Sequence, residues 1–414
     1  MNEFNSSRVL PSRKLELPLE LIGGRRIYRV VNGYSIECTA KSGVEIFDEK
    51  TLKDILLMPK LSKIYGAHGF TETEYLVTDN EGNISIYHYN NPDPVDSIKS
   101  IGLYGLWGES HWISDTYTVH MHGTEGYKRG IVGERNICLF DWKEREIIWK
   151  HKPDVNLFGY AIGEEKLIYQ AHKNDGSIYC VDLKTGNKCW QKDPLDLLVL
   201  SNENRDRYDR GYGRSSAFGN PRIFENLVII GMHFHMIIAL DIESGEKVWE
   251  YQLASDEDKY EKPLHRIISK PYSAAVTESG KVYRLESADV VCGYDKHCHL
   301  LFLIELDART GKLLQRLEVK APEGDLQEHI IDPYEKNFDF GFETLCDVSE
   351  THYYTCFSSG PILAINLETG VVDWHVTLPT GSVRDQLLVL NNRLYTSSGL
   401  VHYIFEGEGG YIPD

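Results

Sequence analysis

Three His-x-His pairs and two nearby cysteines are the residues of this sequence whose spacing could bind a metal ion. The pairs are His120/His122, His233/His235 and His297/His299. On a β-strand both side chains of such a pair point to one face, a geometry that metal sites use. The candidate zinc ligands are Cys292, His297, Cys298 and His299, which lie together in "CGYDKHCH". No second half of a standard zinc spacing follows, so we predict no metal site and no cofactor.

Motifs for other chemistries fail in specific ways. "GESHW" lacks the glycine that follows the nucleophile in a nucleophile elbow. "EGEGGY" is rich in glycine, but no helix follows it to bind a phosphate. "DEDKYE" lacks the central glycine and the closing carboxylate of a calcium loop. We therefore expect a protein that is not an enzyme and has no catalytic residues. The 62 acidic residues leave open one alternative, a carboxylate-dependent enzyme, for example one that acts on a glycan in a central funnel.

The composition indicates a globular and acidic protein. The chain has 414 residues, of which 42% are hydrophobic, and a formal charge of −18. Such a charge repels nucleic-acid phosphate, so we expect no nucleic-acid partner and a neutral or basic protein partner. The first 20 residues lack the apolar core of a secretory signal, and "NLVIIGMHFHMIIAL" is too short to span a bilayer. We expect a cytoplasmic protein without membrane insertion, whose eight scattered cysteines are small buried side chains and not disulfides.

One repeat unit recurs along the chain and would supply the elements that position any functional residue. Each copy has an apolar strand, a turn that begins with Asp or Asn, and a large side chain eight residues after that first turn residue. Four copies contain Thr-Gly or Ser-Gly in the turn: "DLKTGNKCW", "DIESGEKVW", "DARTGKLLQ" and "NLETGVVDW". A fifth, "DWKEREIIW", has Arg145-Glu146 instead. The glycine can take positive φ and the Asp and Thr oxygens can bond backbone N–H groups, so each copy predicts a β-hairpin.

Weaker copies extend the series to eight. One weaker copy begins at Asp48 and has Leu56 in its last position, and two others are bare strands that end at His88 and Glu406. Over all eight copies, the first turn residues of consecutive copies are 40 to 66 residues apart. This period predicts an all-β fold, a single closed β-propeller of four-stranded blades, with eight blades favoured and seven as the alternative. We expect the N-terminal strand "KLELPLEL" to complete the last blade, which removes open sheet edges. The predicted organisation is an N-terminal segment, 1–14, and one propeller domain, 15–414.

At these repeats the chain resembles the quinoprotein-like propeller family, which includes quinone-dependent dehydrogenases and non-enzymatic propellers. The resemblance implies that the large side chains dock each blade onto the next, which assigns this structural role to Trp149, Trp190, Trp249 and Trp374. Leu56 and Gln315 depart from the pattern, so their contacts should be looser or differently filled. The enzymatic members carry a vicinal disulfide, a metal site and a catalytic Asp. This chain has no adjacent cysteines, so it resembles the non-enzymatic branch.

Length variation between the repeats indicates where function lies. Long loops are predicted at 123–134, 193–218, 254–266, 287–299 and 321–340. All five fall in D–A or B–C connections, with the strands of a blade called A to D in chain order. These connections leave one end of a blade, while the C–D turns leave the other. Long loops on a rigid scaffold commonly carry binding sites.

The chemistry of these loops favours protein recognition. Arginine and tyrosine, the residue types enriched at interface hot spots, alternate in the second loop, and acidic residues that would attract a basic partner dominate two others. The candidate partner-binding residues are Arg205, Arg207, Tyr208, Arg210, Tyr212, Arg214, Asp256, Glu257, Asp258, Tyr260, Glu328, Asp332 and Tyr334. We therefore predict a non-catalytic, monomeric propeller that binds a protein. The most specific hypothesis is a bacterial immunity protein that neutralises a basic toxin domain, and a general adaptor or scaffold is the alternative.

Overall fold

The fold is taken from a computed structural model of the chain. The structure describes residues 17, 19–25, 29–31, 34–39, 43–48, 54–58, 64–69, 74–79, 83–99, 104–112, 117–123, 135–151, 156–163, 165–172, 177–197, 217–232, 236–252, 264–267, 274–293, 296–320, 343–357, 361–376, 378, 383–398 and 401–410. It divides the chain into two compact units. The first comprises 1–10, 23–157 and 181–188, and the second comprises 11–22, 158–180 and 189–414. The single domain 15–414 stays a prediction.

Within the described residues the strands form eight sheets, most of them four-stranded. The strand β1 comprises Glu20–Arg25. Three sheets follow in the first unit, and the first of them consists of β2 (Arg29–Val31), β3 (Tyr34–Thr39), β4 (Gly43–Asp48) and β5 (Asp54–Met58). The second consists of β6 (Ile64–Gly69), β7 (Glu74–Asp79), β8 (Ile84–His88) and β9 (Pro94–Ile98). The third consists of β10 (Tyr104–Trp112), β11 (Tyr117–Gly123), β12 (Arg135–Asp141) and β13 (Glu146–His151). The next sheet consists of β14 (Asn156–Gly163), β15 (Lys166–His172), β16 (Ile178–Asp182) and β17 (Lys188–Lys192).

The remaining sheets belong to the second unit. After the short helix α1 (Pro194–Leu197), one sheet consists of β18 (Ala217–Phe224), β19 (Leu227–Met232), β20 (Met236–Asp241) and β21 (Lys247–Gln252). The next consists of β22 (Leu264–Ile267), β23 (Ala274–Val276), β24 (Lys281–Gly293), β25 (Lys296–Asp307) and β26 (Leu313–Glu318). A further sheet consists of β27 (Glu343–Val348), β28 (His352–Phe357), β29 (Ile362–Asn366) and β30 (Val372–Val376), and the last contains β31 (Val383–Leu390), β32 (Arg393–Ser398) and β33 (Val401–Glu406). The strand β1 pairs with β33 and completes the last sheet. This strand begins at Glu20, later than the predicted segment, and ring closure stays a prediction.

A β-bulge at one fixed place explains the constant spacing of the repeat. In the C–D hairpins the register shifts just before the first turn residue, for example between Ala239 and Leu240. The shift pairs Ala239 with Trp249, and the same shift pairs Leu139 with Trp149 and Ala364 with Trp374. A bulge adds one residue to one strand and turns the following side chain. The last position of each repeat therefore always stands opposite the residue two places before the turn.

The apolar core lies between consecutive sheets. In the second unit, one cluster joins Ile168, Ile178 and Cys180 to Val228 and Ile230, and further clusters join each later sheet to the next. In the first unit, Leu76 and Ile86 pack with Cys138 and Phe140. These strands are rich in β-branched and aromatic residues because both of their faces are buried, and burial of this apolar surface is the main favourable contribution to folding.

Two expectations from the sequence are wrong. The segment 287–299 is not a loop, because β24 and β25 extend through it and pair as far as Gly293 with Lys296. The polar residues of this segment hide the strand pattern. The cysteines are also not uniformly buried: Cys138, Cys180, Cys346 and Cys356 are buried, but Cys189 is exposed. Cys189 corresponds to the exposed Val248 of the next repeat, which lies at the β-bulge.

Candidate functional site

The C–D turns are built by one local hydrogen-bond pattern. In the turn 182–187 the Oδ1 atom of Asp182 accepts hydrogen bonds from the N–H and the hydroxyl of Thr185, at 2.9 and 2.8 Å. The glycine that follows, Gly186, has φ +70°. Asp241 and Asp307 bind Ser244 and Thr310 in the same way, and these hydrogen bonds lower the pKa of both carboxyl groups. A carboxylate that accepts N–H and O–H bonds is favoured in its charged form.

Three tryptophans of the repeat, Trp149, Trp190 and Trp249, contact the C–D turn of the following sheet. The indole N–H of Trp149 donates to the carbonyl oxygen of Leu183 at 2.6 Å. Trp190 donates to Ile242 and Trp249 donates to Ala308, both at 2.9 Å. All three carbonyls belong to the residue directly after the first turn residue. The indole thus satisfies a backbone acceptor that the packing has removed from water.

The turn glycine leaves room for the indole ring. A Cβ added to Gly186 would lie 2.6 Å from Cγ of Trp149, and one added to Gly245 would lie 2.6 Å from Cδ2 of Trp190. At Gly311 the corresponding distance to Cε3 of Trp249 is 2.5 Å. The glycine is therefore required twice, because its φ is positive and because the ring lies directly on its Cα. Trp374 has a different partner: its indole N–H donates to the backbone carbonyl oxygen of Leu19 at 3.3 Å.

The fifth copy of the repeat lacks the turn glycine, and the preceding sheet lacks the tryptophan that would pack on it. In the turn 141–146 the glycine position is Arg145, with φ +59°, so the pair that replaces Thr-Gly is Glu144-Arg145 and not Arg145-Glu146. The docking position of the preceding sheet is Asp96, which stands opposite Ile86 where other sheets have Trp. Arg145 and Asp96 form an ion pair. The contact between these consecutive sheets is thus made by two half-exposed charges and not by a ring on a glycine.

Gln315 also fills its docking position differently. Its side-chain N–H donates to the carbonyl oxygen of Glu368 at 3.4 Å. The backbone supplies the rest of the contact: Lys320 N–H donates to Gly370 at 3.0 Å, and Val372 N–H donates to Lys320 at 2.9 Å. These bonds form a parallel bridge between Lys320 and Val371. Leu56 lies opposite Ile46 in its hairpin, and its side chain is outside the described part of the chain.

The ends of the sheets that carry the C–D turns are therefore used for contacts between consecutive sheets. In each antiparallel sheet the D–A and B–C connections leave the opposite end. The connections 198–216, 253–263 and 321–342 of the second unit and 124–134 of the first unit are all of these two kinds.

The predicted partner-binding residues lie outside the described residues. This holds for the arginine and tyrosine residues of 205–214, for 256–260 and for 328–334. The candidate zinc residues His297, Cys298 and His299 lie on β25, with Cys292 on β24. Only the backbone of these four positions is described. In the part of the chain that the structure does describe, no group of three or more His, Cys, Asp or Glu side chains is placed to hold a metal ion.

Sequence reasoning missed one charged group in the described core. Arg284 and Glu286 on β24 are fully buried, and Arg316 on β26 is close to Glu286. Their alternation with Tyr283 and Leu285 could have indicated a strand with two different faces. It could not show that both faces are buried, because that depends on the neighbouring sheets. Among the described residues no helix is long and apolar enough to cross a membrane.

The sheets, their strand order and the contacts between consecutive sheets define a β-propeller fold. Similar solved structures, which include the β-propellers BamB and Sqt1, agree with this class. BamB from Moraxella catarrhalis has a TM-score of 0.55 and 13% identity, over 94% of this chain and 100% of BamB. The computationally designed Ika8 protein has a TM-score of 0.52 and 13% identity, over 96% of this chain and 99% of Ika8. Sqt1 from Saccharomyces cerevisiae has a TM-score of 0.51 and 9% identity, over 97% and 100%.

No protein-family model matches the chain, and no curated protein sequence matches it. The structural likeness at these identities concerns the fold alone. Membership of the quinoprotein-like family therefore stays a prediction from the repeats.

Proposed function

We propose that this protein is a non-catalytic propeller that binds another protein through the loop-bearing ends of its sheets. The observation that carries the proposal is the unequal use of the two ends. The C–D turns stay short and take part in contacts with Trp149, Trp190 and Trp249 of the preceding sheets. Between the described strands, the long connections lie in D–A and B–C positions, where growth in length does not disturb these contacts. A rigid scaffold that varies at one end is typical of binding proteins.

The composition of the loops supports a protein partner. Arg207 and Tyr208 lie in a segment that alternates arginine with tyrosine, the residue types that dominate interface hot spots. The formal charge of −18 favours a basic partner through faster encounter. In its most specific form, the proposal is a cytoplasmic immunity protein that binds and neutralises a basic toxin domain.

The binding surface is tested by two pairs of substitutions. The candidate partner is the product of a neighbouring gene, and a pull-down from the native host identifies other candidates. Replacing Arg207 and Tyr208 with Ala should weaken binding about tenfold or more in titration calorimetry, without a change in melting temperature. The control pair is Lys143→Ala with Glu144→Ala, two exposed residues of a C–D turn, which should leave affinity unchanged. Weaker binding by the control pair alone would place the interface at the wrong end of the sheets.

The immunity role has its own test. Cells that express the neighbouring gene product should stop growing, and co-expression of this protein should restore growth. The Arg207→Ala and Tyr208→Ala double variant should restore growth less well. Binding without protection would contradict the immunity role and leave a general adaptor.

A further inference from the structure

Three charged side chains form a buried group between the sheet β18–β21 and the sheet β22–β26. Arg284 and Glu286 have no exposed surface. Arg284 donates from Nη2 to the carbonyl oxygen of Met232 at 3.0 Å and from Nη1 to that of Met236. Arg316 has one guanidinium nitrogen 3.8 Å from Oε2 of Glu286. The two backbone carbonyls bind Arg284 to the neighbouring sheet, and Glu286 contacts this sheet through the side chain of Tyr251.

The carboxylate of Glu286 is poorly solvated. Both carboxylate oxygens of Glu286 are buried, and the side chain of Tyr251 hydrogen-bonds to this carboxylate. Burial raises the pKa of Glu286 to about 7, although Arg316, Arg284 and the Tyr251 side chain act in the opposite direction. An ionised carboxylate is costly in such a buried place even with this hydrogen bond, and the neutral acid is favoured.

Among the residues whose side chains the structure describes, the other charged groups around Glu286 are few. On β24 itself the neighbouring charge is Arg284, and on β26 the charges are Arg316 and the exposed Glu318. The facing residue of β25 is Phe302, over whose ring the Arg316 guanidinium lies at 4.3 Å. From the neighbouring sheet the described groups are the Tyr251 side chain and the carbonyls of Met232 and Met236.

Glu286 stands at the base of a projecting hairpin. The strand β26 pairs with β25 only as far as the row Glu286–Phe302–Glu318. On the other side, β23 pairs with β24 from Val282 to Arg284, and β22 pairs with it only from Ala288 onward. Beyond this row the hairpin continues to Gly293 and Lys296. Glu286 thus lies at the point where the neighbouring strands change.

We propose that Glu286 is a protonation switch that controls how firmly the hairpin of β24 and β25 is held at its base. The neutral acid holds the hairpin base, and the ionised form promotes local opening, in which the carboxylate becomes hydrated. The folded-state pKa lies above the ordinary value, so this stabilisation is complete below the ordinary pKa and is lost as the pH rises through about 7. The inference goes beyond the proposed function, because it concerns the protein without any partner.

Hydrogen exchange of the backbone amides tests the switch. Protection of residues 287–300 is measured at about pH 6 and about pH 8, after correction for the intrinsic exchange rate. The shift of the pKa from 4.5 to about 7 predicts that protection falls about tenfold between these values. In Glu286→Gln, which imitates the neutral acid, protection should be equal at both values. The matched control is Glu318→Gln, an exposed carboxylate in the same row, which should keep the tenfold change.

Two outcomes would overturn the proposal. One is equal protection in the unmodified protein at both pH values, and the other is an unchanged pH response in Glu286→Gln. A second variant covers the case in which Glu286→Gln does not fold. Removing the nearby cation in Arg316→Gln should shift the midpoint of the protection change to higher pH, and an unshifted midpoint would also refute the assignment.

Discussion

The contact between Trp190 and Gly245 offers the most direct test of how the sheets are joined. Trp190 is 8% exposed, its N–H donates to Ile242, and its ring lies on Gly245 in the next turn. Replacing Trp190 with Ala removes a large buried ring and leaves the Ile242 carbonyl without its donor. Such truncations destabilise proteins by about 3–5 kcal/mol.

Replacing Gly245 with Ala disturbs the same contact from the other side. The residue has φ +68°, and a left-handed conformation costs about 1–2 kcal/mol for a residue with a Cβ. The new Cβ would lie 2.6 Å from Cδ2 of Trp190, and overpacking of this kind costs about 1–3 kcal/mol. The single change should therefore destabilise the protein by about 2–5 kcal/mol. In the Trp190→Ala background the ring is absent, so only about 1–2 kcal/mol should remain.

The assay is urea unfolding followed by far-ultraviolet circular dichroism for the two single variants and the double variant. Midpoint shifts convert to free energies with the measured m-value. The double variant should be less destabilised than the sum of the single variants by about 1–3 kcal/mol. The matched control is Gly410→Ala, because Gly410 has φ +77° but its added Cβ meets no atom of the described residues closer than 3.9 Å. It should show the conformational cost alone, about 1–2 kcal/mol.

The reasoning fails if Gly245→Ala costs the same with and without Trp190. Equal costs would mean that the ring does not lie on the glycine, and the positive φ alone would explain the residue. An undiminished stability in Trp190→Ala would also contradict its role as a docking residue.

Two further predictions concern the turns and the departures from the repeat. Asp96→Ala should lower the free energy of unfolding in urea by less than about 1 kcal/mol, because the ion pair of Asp96 with Arg145 is half-exposed and such pairs contribute little. A loss of stability as large as that of Trp190→Ala would contradict this prediction. Hydrogen bonds from Ser244 lower the pKa of Asp241, so its contribution to stability is present above the ordinary pKa and lost as the pH falls through the lowered value. Asp241→Ala should therefore unfold at a lower urea concentration than the unmodified protein at neutral pH, and this difference should shrink in acid; a difference that is constant with pH would show that the carboxylate charge is not involved.

The sequence predicted the hairpin turns because their chemistry is local. Asp182 and Thr185 are three residues apart, and the bonds between them need only the turn itself. The eight-residue spacing to Trp190 is likewise local, since it reflects one bulge within one hairpin. Repetition of this local pattern was sufficient to predict an all-β propeller. The departure at Gln315 was also visible, and its differently filled contact followed from the size and polarity of the side chain.

The tertiary structure decided which residues meet. The pairing of Asp96 with Arg145 spans 49 residues, and only the contact between consecutive sheets shows why both copies depart from the repeat together. The hairpin of β24 and β25 carries polar residues typical of loops. It forms a strand pair, and β22 pairs with β24 on its other side. Glu286 looks like an ordinary exposed carboxylate in the sequence. Its burial arises because two sheets close over it, and such closure depends on residues that are distant along the chain.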